Sequence, residues 1–125
     1  MRFLIVDLEA TCWEAGSVPS KMETIEIGAV MLESGHGTAT GEFTRFVRPV
    51  VNPILSEFCV RLTSIGQGDV DTAETFPAAL RALATRADPA QPLTWCSWGA
   101  YDLEQLRSDC GRHRIGFPDW LSRHT

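Results

Sequence analysis

Phe3-Leu4-Ile5-Val6 begins an apolar run that reaches Leu8, with Leu4, Val6 and Leu8 opposed to Phe3 and Ile5. A strand apolar on both faces is expected at the centre of a sheet, covered on both sides. Thr24 to Leu32 alternates, setting Ile25, Ile27, Ala29 and Met31 against Glu26, Gly28, Val30 and Leu32. Gly28 leaves room on the Glu26 face. Glu42 to Val47 alternates again and stops before Pro49, and Gly35, Gly37 and Gly41 mark the reversal from Glu33 to Gly41. Three strands in hairpin order predict an antiparallel meander. Between the first two strands, Glu14 to Met22 has Gly, Ser and Pro without a period and reads as a loop.

The second half changes period. Val50 to Val70 is irregular, punctuated by Pro53, Gly66 and Gly68, with short helical turns expected, among them Ser56 to Leu62. Thr75 then stands as an N-cap with Pro77 in the first turn, and Phe76, Leu80, Leu83, Ala84 and Ala87 follow at helical spacing until Asp88-Pro89. Pro92 to Trp98 predicts a fourth strand. Gly99 turns it into a helix from Ala100 to Cys110, with Leu103, Leu106 and Cys110 facing the core. Hairpin strands followed by a strand reached through a helix give an α/β fold, a mixed sheet with helices packed on it.

Composition adds limits. At 125 residues, 44% hydrophobic and 22% charged, the chain has material for one ordinary domain core, residues 1–125. No apolar stretch approaches the roughly 18 residues of a membrane span, and Phe3 to Val6 is too short for a signal-peptide core, so a cytoplasmic protein with no membrane partner is expected. Cys12, Cys59, Cys96 and Cys110 lie far apart with no C-x-x-C pair and read as buried free thiols. A formal charge of −5 argues against a protein that coats nucleic acid, which needs Lys and Arg against phosphates. It leaves room for an enzyme whose positive charge is bound metal.

The chemistry gathers where the first strand ends. Asp7 and Glu9 stand at i and i+2, so a strand presents both carboxylates on one face, roughly 7 Å apart. Acidic residues often end a strand merely by reaching the surface. At the end of a buried strand, however, such a pair is costly unless ligated, and divalent cations relieve it. Asp102 lies in the first turn of the helix leaving the fourth strand, off the Leu103, Leu106 and Cys110 stripe. By itself it is an ordinary first-turn aspartate. With Asp7 and Glu9 it supplies the third carboxylate a two-metal site requires.

The segments D-L-E-A-T, E-T-I-E-I-G-A-V, F-C-V-R-L-T-S-I-G-Q and S-W-G-A-Y-D, in that order, resemble the landmarks of the DEDD 3′–5′ exonucleases, in their DEDDh form. The likeness is greatest to the DnaQ-like branch that trims RNA ends, which includes the KapD-like proteins. The resemblance implies a ribonuclease H-like fold and two Mg²⁺ or Mn²⁺ ions in a complete site, held here by Asp7, Glu9 and Asp102 as metal-binding and catalytic residues. It implies hydrolysis from the 3′ end of single-stranded RNA or DNA, releasing nucleoside 5′-monophosphates. Ala10, Thr11 and Trp13 would lie beside the 3′-terminal nucleotide, Trp13 stacking on a base, although a loop aromatic packed on the core is an equally good reading of Trp13. Ser64 stands where the family often has Gly.

One departure bears on activity. The family's third motif, a histidine followed five residues later by an aspartate, has no match: Pro118 follows His113 at that spacing, and only Thr125 follows His124. His36 reads as a solvated residue of the turn. The expectation is a nuclease domain lacking its C-terminal part, weakly active or inactive alone, self-associating through the sheet surface left uncovered. Two other classes compete. One is a non-catalytic remnant that binds metal or nucleic acid. The other is a phosphatase of the haloacid dehalogenase type with Asp7 as nucleophile, which needs a later lysine where this chain has only Lys21.

Overall fold

The meander forms as its alternation predicts. In the computed structural model, which describes residues 1–33 and 39–124, β1 (Arg2–Ala10), β2 (Thr24–Glu33) and β3 (Ala39–Phe46) pair antiparallel in sequence order. β4 (Leu93–Cys96) adds to the far side of β1 in parallel, giving the order β3-β2-β1-β4. This is the mixed sheet expected. Most of the reversal before β3, including His36, lies outside the described residues.

Helices account for the rest: α1 (Glu57–Thr63), α2 (Gln67–Asp71), α3 (Phe76–Ala87) and α4 (Tyr101–Arg112), then a 3-10 turn over Asp119–Ser122. Ser56 caps α1, its Oγ accepting the Cys59 N–H at 3.0 Å while donating to the Cys12 carbonyl at 2.6 Å. α3 begins after Thr75 with Pro77 in its first turn, as read from the sequence, but the Thr75 hydroxyl makes no capping bond. The Arg2 guanidinium closes the other end of α3, donating to the carbonyls of Ala87 and Asp88, each at 2.7 Å. That ties the first strand to the helix preceding β4.

Among the described residues, only one face of the sheet is well covered. Leu4, Val6, Leu8, Ile27, Ala29 and Phe43 are buried with Phe76, Leu80 and Leu83 of α3 and Leu106 and Cys110 of α4. On the opposite face Phe3, Ile5, Val30 and Leu32 are half-buried. This departs from the expected cover on both sides, because α3 and α4 contribute to the same core. A second cluster, with Ala10, Cys12, Met22, Ile25, Leu55, Cys59, Ile65 and Val70, fastens the end of β1 to α1 and α2. The thiols are free as expected, Cys12, Cys59 and Cys110 buried and Cys96 half-buried.

Candidate active site

β1 has two neighbours for only part of its length. Its pairing with β4 ends at Ile5↔Cys96, whereas its pairing with β2 continues to Ala10. Asp7 and Glu9 therefore occupy the stretch where β4 no longer flanks the strand. They share the open face with Ile5, Asp7 exposed and Glu9 half-buried, while Val6 and Leu8 point into the core.

α4 carries the third carboxylate to this stretch. The helix is anchored by a buried polar seam: Asp109 Oδ2 accepts from Thr24 Oγ1 at 2.5 Å and from Gln105 Nε2 at 3.1 Å, and Arg112 meets Oδ1 at 2.6 Å. Gln105 Nε2 also donates to the Met22 carbonyl at 2.8 Å. Burial holds the Asp109 carboxyl above its usual range despite these partners. The seam joins α4 to the start of β2, and Asp102 lies on the same helix face as Gln105 and Asp109, one and two turns away. Asp102 is thus buried rather than a solvated first-turn residue, only 5% exposed.

The three carboxylates act on one another. Burial, then the charges of Asp7 and Glu9, push the Asp102 carboxyl up to about 6, and the backbone N–H of Leu8 offsets part of that rise. Burial raises Glu9 as well, followed by Asp7 and by Glu26. Glu26 pairs directly across from Glu9 in the β1–β2 register, which sets it on the same face. It too is raised, by burial first, then by Asp7 and Asp69. Glu26 was visible in the sequence as the acidic residue of the Gly28 face, yet no role was assigned to it.

Among the described residues, no three His, Cys, Asp or Glu side chains are drawn together tightly enough to cage an ion. Asp7, Glu9 and Asp102 share a field without forming a closed ligand set. Their chemistry still fits a divalent cation: hard carboxylate oxygens, one of them buried, in mutual repulsion that two positive charges would reverse. Gly28 pairs across from Asp7, and a groove of about 290 Å³ runs from Asp7 over Gly28 to Thr44. A Cβ at Gly28 would make only ordinary contact with the Asp7 carbonyl oxygen, at 3.5 Å. Openness here comes from the missing side chain and not from a steric demand.

The expected substrate contacts divide. Ala10 and Thr11 are buried, and the Thr11 hydroxyl already accepts the Glu23 N–H at 2.9 Å. Trp13 packs against the second core cluster, as its core reading expects, and it also lines an open cleft. Tyr101, next to Asp102, is a further candidate that sequence reasoning left without a role. Burial and the charges of Asp102 and Glu9 push its phenol up to about 12, so it remains a proton donor. His113 stacks on Phe76 at 5.7 Å, and His124 Nε2 lies 2.8 Å from Ser97 Oγ.

Residues 4–115 match the family model described as exonuclease, RNase T. The chain belongs to the exonuclease family. Human 3′-5′ exoribonuclease 1 is 42% identical over 125 residues, which is 95% of this chain and 36% of the relative. Mouse ERI1 exoribonuclease 2 is 37% identical over 106 residues, covering 85% of this chain and 15% of that protein. The nuclease domain of 3′hExo, a DEDDh family member, bound to rAMP, superposes with a TM-score of 0.88 at 30% identity, over 95% of this chain and 62% of that one. The chain therefore spans about a third or less of these two full-length exonucleases, and it has the ribonuclease H-like fold of its structural relatives. Membership implies divalent metal ions in general, and it sets aside the phosphatase alternative.

Proposed function

We propose that the chain is a 3′–5′ exonuclease acting on the 3′ end of single-stranded RNA or DNA and releasing nucleoside 5′-monophosphates, with Asp7, Glu9 and Asp102 holding Mg²⁺ or Mn²⁺. The observation that carries this reading is the delivery of a buried Asp102 by α4 into the field of Asp7 and Glu9, where β1 has outrun β4. The similar 3′hExo nuclease domain holds rAMP, which supports RNA as a substrate. When bound, divalent ions would supply an activated water and charge stabilisation for the leaving oxygen. The chain's own share is placement. The Asp109 seam fixes α4 and hence Asp102, the β1–β2 register fixes Asp7 and Glu9, and Gly28 keeps the groove beside Asp7 clear.

The test is stepwise shortening, from the 3′ end, of 5′-labelled single-stranded RNA and DNA in Mn²⁺. Asp7→Asn should lower the rate at least roughly 100-fold, since it removes a ligand outright. Equal rates for the two proteins would sink the assignment.

A second reading has its own support. The sequence has no histidine followed five residues later by an aspartate, and general acid–base help of that kind is worth roughly 10²–10⁴-fold. In this reading the chain by itself binds metal or nucleic acid and cuts slowly or not at all. A longer chain carrying such a pair should be active where this one is not. The half-buried face with Phe3, Ile5, Val30 and Leu32 supports self-association through that surface, which sedimentation velocity would read as a mass above that of one chain.

A further inference from the structure

One opening in the molecule lies away from the carboxylates. A cleft of about 490 Å³ lies beyond the end of β1, lined by Trp13, Gly16, Ser20, Lys21, Asn52 and Arg112 among others. We infer that this cleft is a second nucleotide-binding subsite, taking a base and its phosphate from single-stranded nucleic acid upstream of the scissile bond. The inference rests on the exonuclease reading above and moves Trp13 from the terminal nucleotide to one further along the strand.

The cleft is built and held open by its own bonds. Ser17 Oγ accepts the Trp13 N–H and donates to the Trp13 carbonyl, both at 2.8 Å, which fixes the backbone that carries the indole. The far wall is fastened to α4. Ser108 Oγ donates to the Pro19 carbonyl at 3.0 Å and Arg112 Nη2 to the Ser20 carbonyl at 3.1 Å. The charge of Arg112 is largely offset by its bond to buried Asp109, 2.6 Å away. Lys21, the only lysine in the chain, is exposed and forms no ion pair among the described residues. An aromatic face with an unpaired ammonium beside it is the combination that single strands use, the base stacking and the phosphate drawing the cation. On a chain of net charge −5, such a cation in a cleft is where a phosphodiester is favoured.

Two rulers set the distance. Asp102 and Arg112 stand at opposite ends of α4, separated by about 15 Å of helix rise. Glu9 and Trp13 are separated by at most about 14 Å of extended chain. At about 3.4 Å per stacked nucleotide, and more when the strand is extended, the cleft is two to four nucleotides from the carboxylates. With the 3′ end at Asp7 and Glu9, the strand entering the cleft is its 5′ continuation.

The experiment is fluorescence anisotropy of the full chain with 5′-fluorescein oligoadenylates of two and eight nucleotides, in Ca²⁺. The octamer should bind at least roughly tenfold tighter than the dimer. Lys21→Glu should collapse that ratio toward one, and the slope of log affinity against log salt should become shallower by about 0.7. Lys21→Arg should keep the preference. Trp13→Ala should lower octamer affinity at least roughly fivefold and Trp13→Phe should largely restore it. Lys21 is exposed, so its variants decide the matter even if a Trp13 variant fails to fold. An octamer preference that survives Lys21→Glu unchanged overturns the subsite and leaves the exonuclease reading standing, as does equal binding of dimer and octamer by the unaltered chain. Failure of that chain to bind either length overturns both.

Discussion

Glu9 and Glu26 face each other across the β1–β2 ladder, on the face that also carries Asp7. Like charges directly opposite on an antiparallel pair oppose folding by roughly 0.2–1 kcal/mol. Glu26→Gln should therefore raise the Tm of the metal-free protein by roughly 1–5 °C at neutral pH. Thermal scans in EDTA read this directly. A fall in Tm would mean that Glu26 has a partner that stabilises its charge.

The pH dependence follows from Asp102. Its carboxyl stands at about 6 in the folded chain, above its ordinary 3.8, so between those values the folded state holds more protons than the unfolded one. Stability must then fall as pH rises through this window. Asp102→Asn should flatten that part of the curve and raise metal-free stability at pH 7 by on the order of 1 kcal/mol, allowing for solvent screening, or roughly 3–6 °C. Urea melts at pH 4, 5, 6 and 7 measure the difference. Parallel curves for the two proteins would show that Asp102 is not in the field of Asp7 and Glu9.

Ser64 gives a prediction that the sequence did not. Its φ of 63° places it in the left-handed region at the C-terminus of α1, its N–H on the Val60 carbonyl, which explains a preference for Gly at this position. A residue with a Cβ is disfavoured there by about 1–2 kcal/mol, part of which glycine loses again in the unfolded state. Ser64→Gly should stabilise by roughly 0.5–1 kcal/mol in denaturant melts, because the exposed hydroxyl gives up little.

Glu23 is the opposite case. Buried at 2% exposure, its carboxylate accepts the backbone N–H groups of Val50, Val51 and Asn52 at 2.7, 3.1 and 2.9 Å. Glu23→Ala would strand those donors and release the loop after β3, costing roughly 2–4 kcal/mol. Glu23→Gln, which keeps one acceptor oxygen, should cost less. The order of the two midpoints in urea is the check.

The features read correctly from the sequence are those whose signal is local. Alternation located β1 to β3, and the spacing of Phe76, Leu80 and Leu83 behind Pro77 located α3. α2 and the turn at Asp119–Ser122 are shorter than the window over which a helical period can be seen. β4 ends at Cys96, short of the expected Trp98, which is 93% exposed; an apolar side chain alone does not extend a strand. At the site, Asp7 and Glu9 could be paired by spacing. The burial of Asp102 could not, because its setting depends on Asp109 meeting Thr24, a partner far away in sequence. For the same reason the sequence does not show that the Thr11 hydroxyl accepts the Glu23 N–H.

That β1 and α4 are about ninety residues apart in sequence, yet bring Asp7, Glu9 and Asp102 into one field, bears on how the protein is made. During synthesis the nascent chain displays Asp7 and Glu9 early, while nothing that could complete the set exists until α4 has been translated and docked on β2. Closing so long a loop is an entropic cost met late, after the meander has formed. A chain in which α4 has not yet docked therefore carries Asp7 and Glu9 on β1 without Asp102 beside them.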